Sequence, residues 1–500
     1  MANLKSLAKE TAIYGLSSII GRFLNYLLVP LYTNAMAAAT GDYGIVTNLY
    51  SYTALFLVLL TFGMETTFFR FANKPGVDPR RVYSTALWLV VGVGIAFLTL
   101  LYGFLPHIAS ALHYTTTPHF VAVMFTCVTL DAIQALPFAL LRYQNRPLKF
   151  AALKLLFIGL NLGLNLGYFV LVPWLYTRSD TREWVSGFFD GTFDVGFVFY
   201  LNLACTATIT FFFRQEFFGQ GFAFDKALAR QMLAYAWPIL ALGLVGELNV
   251  TVDKILFPFL ASGGTAEAQV QLGIYGACAK IAMVMPLITQ AFRYAYEPFV
   301  FGQSQDRNSP TTYAAAMKYF FIFSCLAFVG VVAYLDILKY IVSPSYHEGL
   351  RVVPIVMASG VLLGVFFNLS LWYKLTDRTI YGFWLSLLAA VVLITLNILF
   401  IPIYGYMACA WAAVAAYTIS TLASYLLSQR FYPIPYDVRS MAIYAFMTLA
   451  FTLVMLHLPH TWPLWTRLAI NTLLAIAFVA YILKKDFPIA RLPLVGKYWH

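Results

Sequence analysis

The stretch FLNYLLVPLYTNAMAAATGDYGIV, residues 23–46, has a counterpart far along the chain: TVDKILFPFLASGGTAEAQVQLGIY, residues 251–275. In each, an apolar helix closes on a proline, Pro30 or Pro258. A loop of small residues follows, and the next helix opens around a Gly-Ile pair, Gly44-Ile45 or Gly273-Ile274. The offset is about 228 residues. Later apolar runs keep a similar offset until TRSDTREWVSGFFDGTFD, residues 177–194, which reads as an insertion in the first half. Repetition of whole helical features at one fixed period predicts two copies of one structural unit.

Those copies belong in a membrane. Of 500 residues, 61% are hydrophobic and only 11% charged, with a mean hydropathy of +0.76. Apolar runs of about 20 residues, enough to cross a roughly 30 Å hydrocarbon core, recur from end to end. The expected fold is therefore all-α and integral to the membrane. Fourteen spans are expected, near residues 11–34, 43–69, 83–106, 118–141, 152–175, 192–213, 231–260, 270–300, 314–336, 352–374, 380–401, 405–428, 440–457 and 464–483. The first six match the next six, and the last two are an appendage. An even number of spans per copy sets both copies the same way up, with a pseudo-two-fold axis along the membrane normal. This divides the chain into a six-helix lobe over 1–213, a second over 214–430, and two extra helices with a basic cytoplasmic tail over 431–500. No small-residue cleavage site follows the first run, so it is expected to stay as a helix.

The net charge of +11 has a membrane explanation rather than a nucleic-acid one. Most Lys and Arg fall in loops on one side, such as RFANKPGVDPRR and RYQNRPLKF, which the positive-inside rule places in the cytoplasm together with both termini. The five cysteines lie inside apolar runs without a C-x-x-C pair, so neither disulfides nor a metal cluster is expected. His107, His113 and His119 are evenly spaced, but they flank Pro118 in a loop with no Cys or carboxylate beside them. They do not read as a metal site. No phosphate-binding G-x-x-x-x-G-K-[ST] motif occurs. The loop near 176–191 holds Arg178, Asp180, Arg182, Glu183 and Asp190. With Trp184, Phe188 and Phe189 it reads as an interfacial segment rather than a catalytic centre. No catalytic residue and no cofactor are expected.

Two lobes imply a cleft, and ionisable residues deep in the spans should line it, because charges facing lipid are costly. Arg22 lies near the middle of the first span and shares a face with Ser18 and Asn25. Glu247, Asp253 and Lys254 lie in the seventh span, Lys280 in the eighth and Asp131 in the fourth. Asn161 and Asn165 read as interhelical hydrogen-bonding residues of the fifth. Arg22, Lys254 and Lys280 are the candidate cavity cations. A planar guanidinium suits bidentate contact with phosphate, and an ammonium supplies a compact charge. Asn25, Glu247, Asp253 and Asp131 are the polar and coupling candidates.

The N-terminal IYGLSSIIGRFLNYLLVPLYT, the small-residue loop, GDYGIV and the helix ending GMETTFFRF resemble the Wzx-like polysaccharide transporters. These are lipid-linked oligosaccharide flippases of the multidrug/oligosaccharidyl-lipid/polysaccharide (MOP) exporter superfamily. The resemblance implies MATE-like lobes around a central cavity. It also implies a non-enzymatic flippase in the bacterial inner membrane, moving an undecaprenyl-pyrophosphate-linked oligosaccharide by alternating access for cell-surface polysaccharide such as O-antigen or lipopolysaccharide. Arg22 falls on the family's helix-one arginine. Partners would be the lipid-linked sugar, the bilayer, a polysaccharide polymerase and glycosyltransferases, with coupling to H+, Na+ or the membrane potential. The two extra helices are shared with lipid II flippases, which makes lipid II the alternative substrate. A cation-coupled multidrug antiporter is a further alternative.

Overall fold

The computed structural model describes residues 26–219, 221, 223–302, 309–459 and 461–486. These form a multi-pass membrane protein built of helices, with no strand among the described residues. Helices suit a bilayer because every backbone N–H and C=O within them is satisfied inside the segment. Their starts follow local chemistry. Pro79, Pro118 and Pro147 occupy first helical positions, where a missing N–H costs nothing. Asp78, Asp225 and Asp437 accept hydrogen bonds from the first free N–H groups of the helices that follow them.

Among the described residues, eleven helices are long and apolar enough to cross a membrane. Gly196–Phe212 is shorter at 17 residues, and Lys226–Leu260 is a helix of 35 residues with more charge. With these two, each expected span from 43 onward falls on a described helix. The first expected span lies largely outside the described residues, so the expected count of fourteen does not follow from the structure.

The chain packs as two compact units. One runs to Gly276 and takes in Asn397–Tyr406; the other holds Ala277–Leu396 and continues from Met407. In the first unit the principal helices are α1 (Leu28–Ala35), α2 (Asp42–Thr61), α3 (Met64–Ala72), α4 (Pro79–Gly103), α5 (Pro118–Tyr143), α6 (Pro147–Leu166), α7 (Gly196–Phe212), α8 (Lys226–Leu260) and the start of α9 (Thr265–Ala279). Helix α2 packs against both α5 and α8, and α5 also packs on α4 and α7. Met64, Phe68, Tyr83, Leu136 and Met232 form one core where α3, α4, α5 and α8 meet.

The repeat has a physical meaning inside this unit. A Cβ on Gly44 would lie 1.9 Å from the Gln269 carbonyl oxygen. A Cβ on Gly273 would lie 2.9 Å from the Gly44 nitrogen, and one on Gly276 would lie 2.4 Å from Thr47 Oγ1. The two matching glycines of the repeat therefore meet each other, and only hydrogen at both positions lets the backbones of α2 and α9 approach so closely.

The second unit contains α10 (Val284–Gly302), α11 (Ser309–Ala333), α12 (Val353–Leu369), most of α13 (Ile380–Tyr404) and α14 (Tyr406–Phe431), and the two C-terminal helices α15 (Val438–Leu456) and α16 (Leu464–Lys485). Helix α11 is its hub, packing on α10, α12, α15 and α16.

A charged cavity as the candidate functional site

The first unit holds a half-open cavity of about 600 Å³ among α2, α3, α5, α6 and α7. Its polar lining is Thr61, Glu65, Asp131, Gln134, Arg142 and Lys154, and Phe138, Phe150 and Phe157 supply an aromatic wall. The α6 residues Phe150, Lys154 and Phe157 follow an i, i+4, i+7 spacing, which puts them on one face. Asn161 and Asn165 continue the same face further along.

The charges are engaged unequally. Arg142 forms an ion pair with Glu65 and also lies 5.2 Å from the Phe69 ring centre. Gln134 donates to the Thr206 carbonyl at 2.9 Å and to Thr210 Oγ1 at 2.7 Å. The half-buried Lys154 has its ammonium 4.0 Å from the Phe138 ring centre. No carboxylate among the described residues comes within salt-bridge distance of it, although Asp131 and Glu65 are charged neighbours. Lys154 thus presents a cation to the cavity on an aromatic support.

Asp131 ends a chain of hydrogen bonds in which each member donates to the next. Tyr32 donates to Asn165 Oδ1 at 2.7 Å, and Asn165 to the Asn161 carbonyl at 2.7 Å. Asn161 donates to Asn202 Oδ1 at 3.5 Å, and Asn202 to Cys127 Sγ at 3.5 Å. Cys127 donates to Thr206 Oγ1 at 3.4 Å, and Thr206 to Asp131 Oδ1 at 3.2 Å. A carboxylate is a pure acceptor and gives such a chain its direction. The chain ties α1 to the cavity across α5, α6 and α7.

Arg22 and Asn25 lie outside the described residues. Of the other sequence candidates, Asp131 lines the cavity. Lys254 and Asp253 form a separate cluster: Lys254 Nζ reaches Asp253 at 3.0 and 3.2 Å and the Val250 carbonyl at 2.8 Å, and Tyr275 donates to Asp253 at 2.9 Å. Glu247 is half-buried two turns earlier on α8, and its carbonyl accepts from Thr251. Lys280 belongs to the second unit, where α9 gives way to a 3-10 turn over Ile281–Met283. The cavity and the Asp253–Lys254 cluster share no residue. Lys154 and Arg142 were not among the sequence candidates. The legible signal for Lys154 was the face it shares with Asn161 and Asn165.

No family model matches the chain, and no curated protein matches it by sequence. Solved structures do. The lipid II flippase MurJ in an inward closed conformation matches with a TM-score of 0.69 at 15% identity, covering 95% of this chain and 99% of that one. An inward-facing multidrug resistance MATE family transporter of the MOP superfamily matches at 0.61 and 13%, covering 81% and 93%. The MATE multidrug transporter DinF-BH matches at 0.56 and 15%, covering 85% and 96%.

The chain has the helical fold shared by these MurJ and MATE structures.

Proposed function

We propose that the chain is a flippase that carries a polyprenyl-pyrophosphate-linked oligosaccharide across the inner membrane by alternating access, for cell-surface polysaccharide. The observation that carries this reading is Lys154. An ammonium two turns into the spanning helix Pro147–Tyr176, resting on an aromatic ring and with no described carboxylate in salt-bridge reach, is available to a phosphate. Arg22, by its place in the sequence, is the second cation of this reading, and Asp131 is the candidate for a coupling proton or ion. The polar chain from Asp131 to Tyr32 supports that role, because a change of charge at its acceptor would be felt at α1.

Lipid II is the second reading. Its support is the match to the lipid II flippase, which extends over a tenth more of this chain than the matches to MATE transporters. That margin is comparable with the length of α15 and α16. A multidrug antiporter fits less well, since an available cation in the cavity repels cationic drugs.

Purified protein in sealed vesicles, offered an undecaprenyl-pyrophosphate oligosaccharide, lipid II or a cationic dye, separates the readings. The expected outcome is protein-dependent movement of the oligosaccharide lipid, measured as its access to a glycan-modifying enzyme outside the vesicle. Movement of lipid II alone replaces the first reading with the second. Dye export against a proton gradient, with neither lipid moved, overturns both.

A further inference from the structure

The segment between α6 and α7 is folded, and it holds aromatic side chains out of the protein. Its interior is aromatic: Phe189 and Val185 are buried, and Tyr168 stacks on Phe197 with ring centres 3.9 Å apart. Tyr176 packs edge-on against Phe189 and donates to the Asp190 carbonyl at 3.3 Å. Thr181 Oγ1 donates to the Leu175 carbonyl at 2.6 Å, which fixes the short helix Ser179–Val185 to the end of the preceding one. On this scaffold Trp184 is 74% exposed and Phe188 47%, four residues apart and in edge-to-face contact.

That pair follows closely on exposed apolar side chains of a spanning helix. The spanning helix Pro147–Tyr176 leads directly into the segment, and its last turns expose Val170, Leu171 and Trp174. Arg178 lies 3.7 Å from the Trp174 ring centre, which sets a guanidinium at the rim of the apolar surface. Amphipathic rings beside a membrane span settle at the level of the lipid head groups.

We propose that residues 174–188 form a membrane-surface anchor in which Trp184 and Phe188 insert at the boundary between head groups and acyl chains. The occupant is the bilayer itself. Arg178 and Arg182 are balanced by Asp180 and Glu183, so insertion is driven by apolar area and does not require anionic lipid. The anchor fixes the α6–α7 end of the first unit against the bilayer surface.

The test places a bimane reporter at Ser186→Cys, an exposed position between the two rings, in the full-length protein. The five native cysteines are buried and react poorly with such a reagent. In phosphatidylcholine vesicles the reporter should show blue-shifted emission and lose fluorescence to lipids brominated near the head group, with little quenching by aqueous iodide. Adding Trp184→Ser and Phe188→Ser should reverse both effects. Quenching by iodide but not by brominated lipid overturns the proposal, because the pair then faces water. Brominated-lipid quenching only when phosphatidylglycerol is present also overturns it, because the arginines then drive the association. Reporters at Trp184→Cys and at Phe188→Cys repeat the measurement should the first variant fail to fold.

Discussion

A cation that rests on a ring rather than on a carboxylate can meet a ligand without first breaking an ion pair. That separates Lys154 from Arg142, whose guanidinium is held by Glu65. Lys154→Met should therefore slow movement of a pyrophosphate lipid about ten- to a hundred-fold, the equivalent of one charged hydrogen bond of about 1.5–3 kcal/mol, and leave thermal stability near wild type. Lys154→Arg should keep most of the activity, since the charge remains. Transport in vesicles and unfolding in detergent read the two effects separately. Asn165 poses the opposite case. It is fully buried, and its amide holds Tyr32 on one side and Asn161 on the other. Asn165→Leu leaves the Tyr32 hydroxyl without its acceptor, and should cost about 1–3 kcal/mol. Tyr32→Phe in the same chain should recover part of the loss, because removing both partners is far cheaper than orphaning one. A double-mutant cycle on unfolding temperature checks it; additive effects would refute the coupling.

Between elements, contact is set by the smallest and the most polar residues. Gly44→Ala forces a methyl group into the Gln269 backbone. It should destabilise by about 1–3 kcal/mol or more, the usual range for overpacking. Gly159→Ala, on α6 with nothing within 4 Å of an added Cβ, should be neutral or stabilising by up to about 1 kcal/mol through helix propensity. Equal effects at the two positions would remove the argument for close approach. The C-terminal helices are fastened to α11 and its flanks by charge at both ends. At one end Lys318 reaches Asp437 at 3.0 Å and Asp486 at 2.5 Å. At the other, Arg467 reaches Asp336 at 2.8 Å, and Asn471 donates to the Ala333 carbonyl at 3.0 Å. Hydrogen bonds from Ser440 and the Lys318 ammonium hold the Asp437 carboxyl down to about 2. A carboxyl depressed on folding stabilises above its unfolded value, near 3.8, and loses that contribution as pH falls through about 2. The contribution of Asp437 to docking of α15 should thus be unchanged from pH 8 to about 5 and be lost only in strong acid. Asp437→Asn should flatten the difference between pH 4 and pH 2, measured by unfolding temperature across that range.

For the whole molecule, the features that repeat were legible and those that depend on a partner helix were not. Long apolar runs and basic loops announce a membrane protein, because lipid tolerates little else. The paired Pro30/Pro258 and Gly44/Gly273 announced duplication, and α2 and α9 then proved to meet at those glycines. Depth along a span found Asp131. It passed over Lys154, whose availability depends on Phe138 from another helix, and it could not tell that Lys254 would be tied to Asp253 and the Val250 carbonyl of its own helix. The appendage shows the same division. Its existence could be read from two apolar runs beyond the repeat, but not its attachment. Helix α11 meets α15 where buried Cys325 lies beside Thr448, and α16 adds Arg467 on Asp336 and Asn471 on the Ala333 carbonyl. A seam so polar has no favourable alternative in lipid, where hydrogen-bonding groups without partners are costly. Ending the chain after Phe431 should therefore do more than delete a peripheral hairpin. It would leave Lys318 and Asp336 without their C-terminal partners and turn Cys325 toward acyl chains. The truncated protein should lose unfolding temperature clearly and yield less from membranes, and Lys318→Met with Asp336→Asn should restore part of both by removing the stranded charges. Unfolding in detergent, with and without those two substitutions, is the measurement. Full stability in the truncated chain would mean that α15 and α16 are a mobile accessory rather than a fixed part of the second unit.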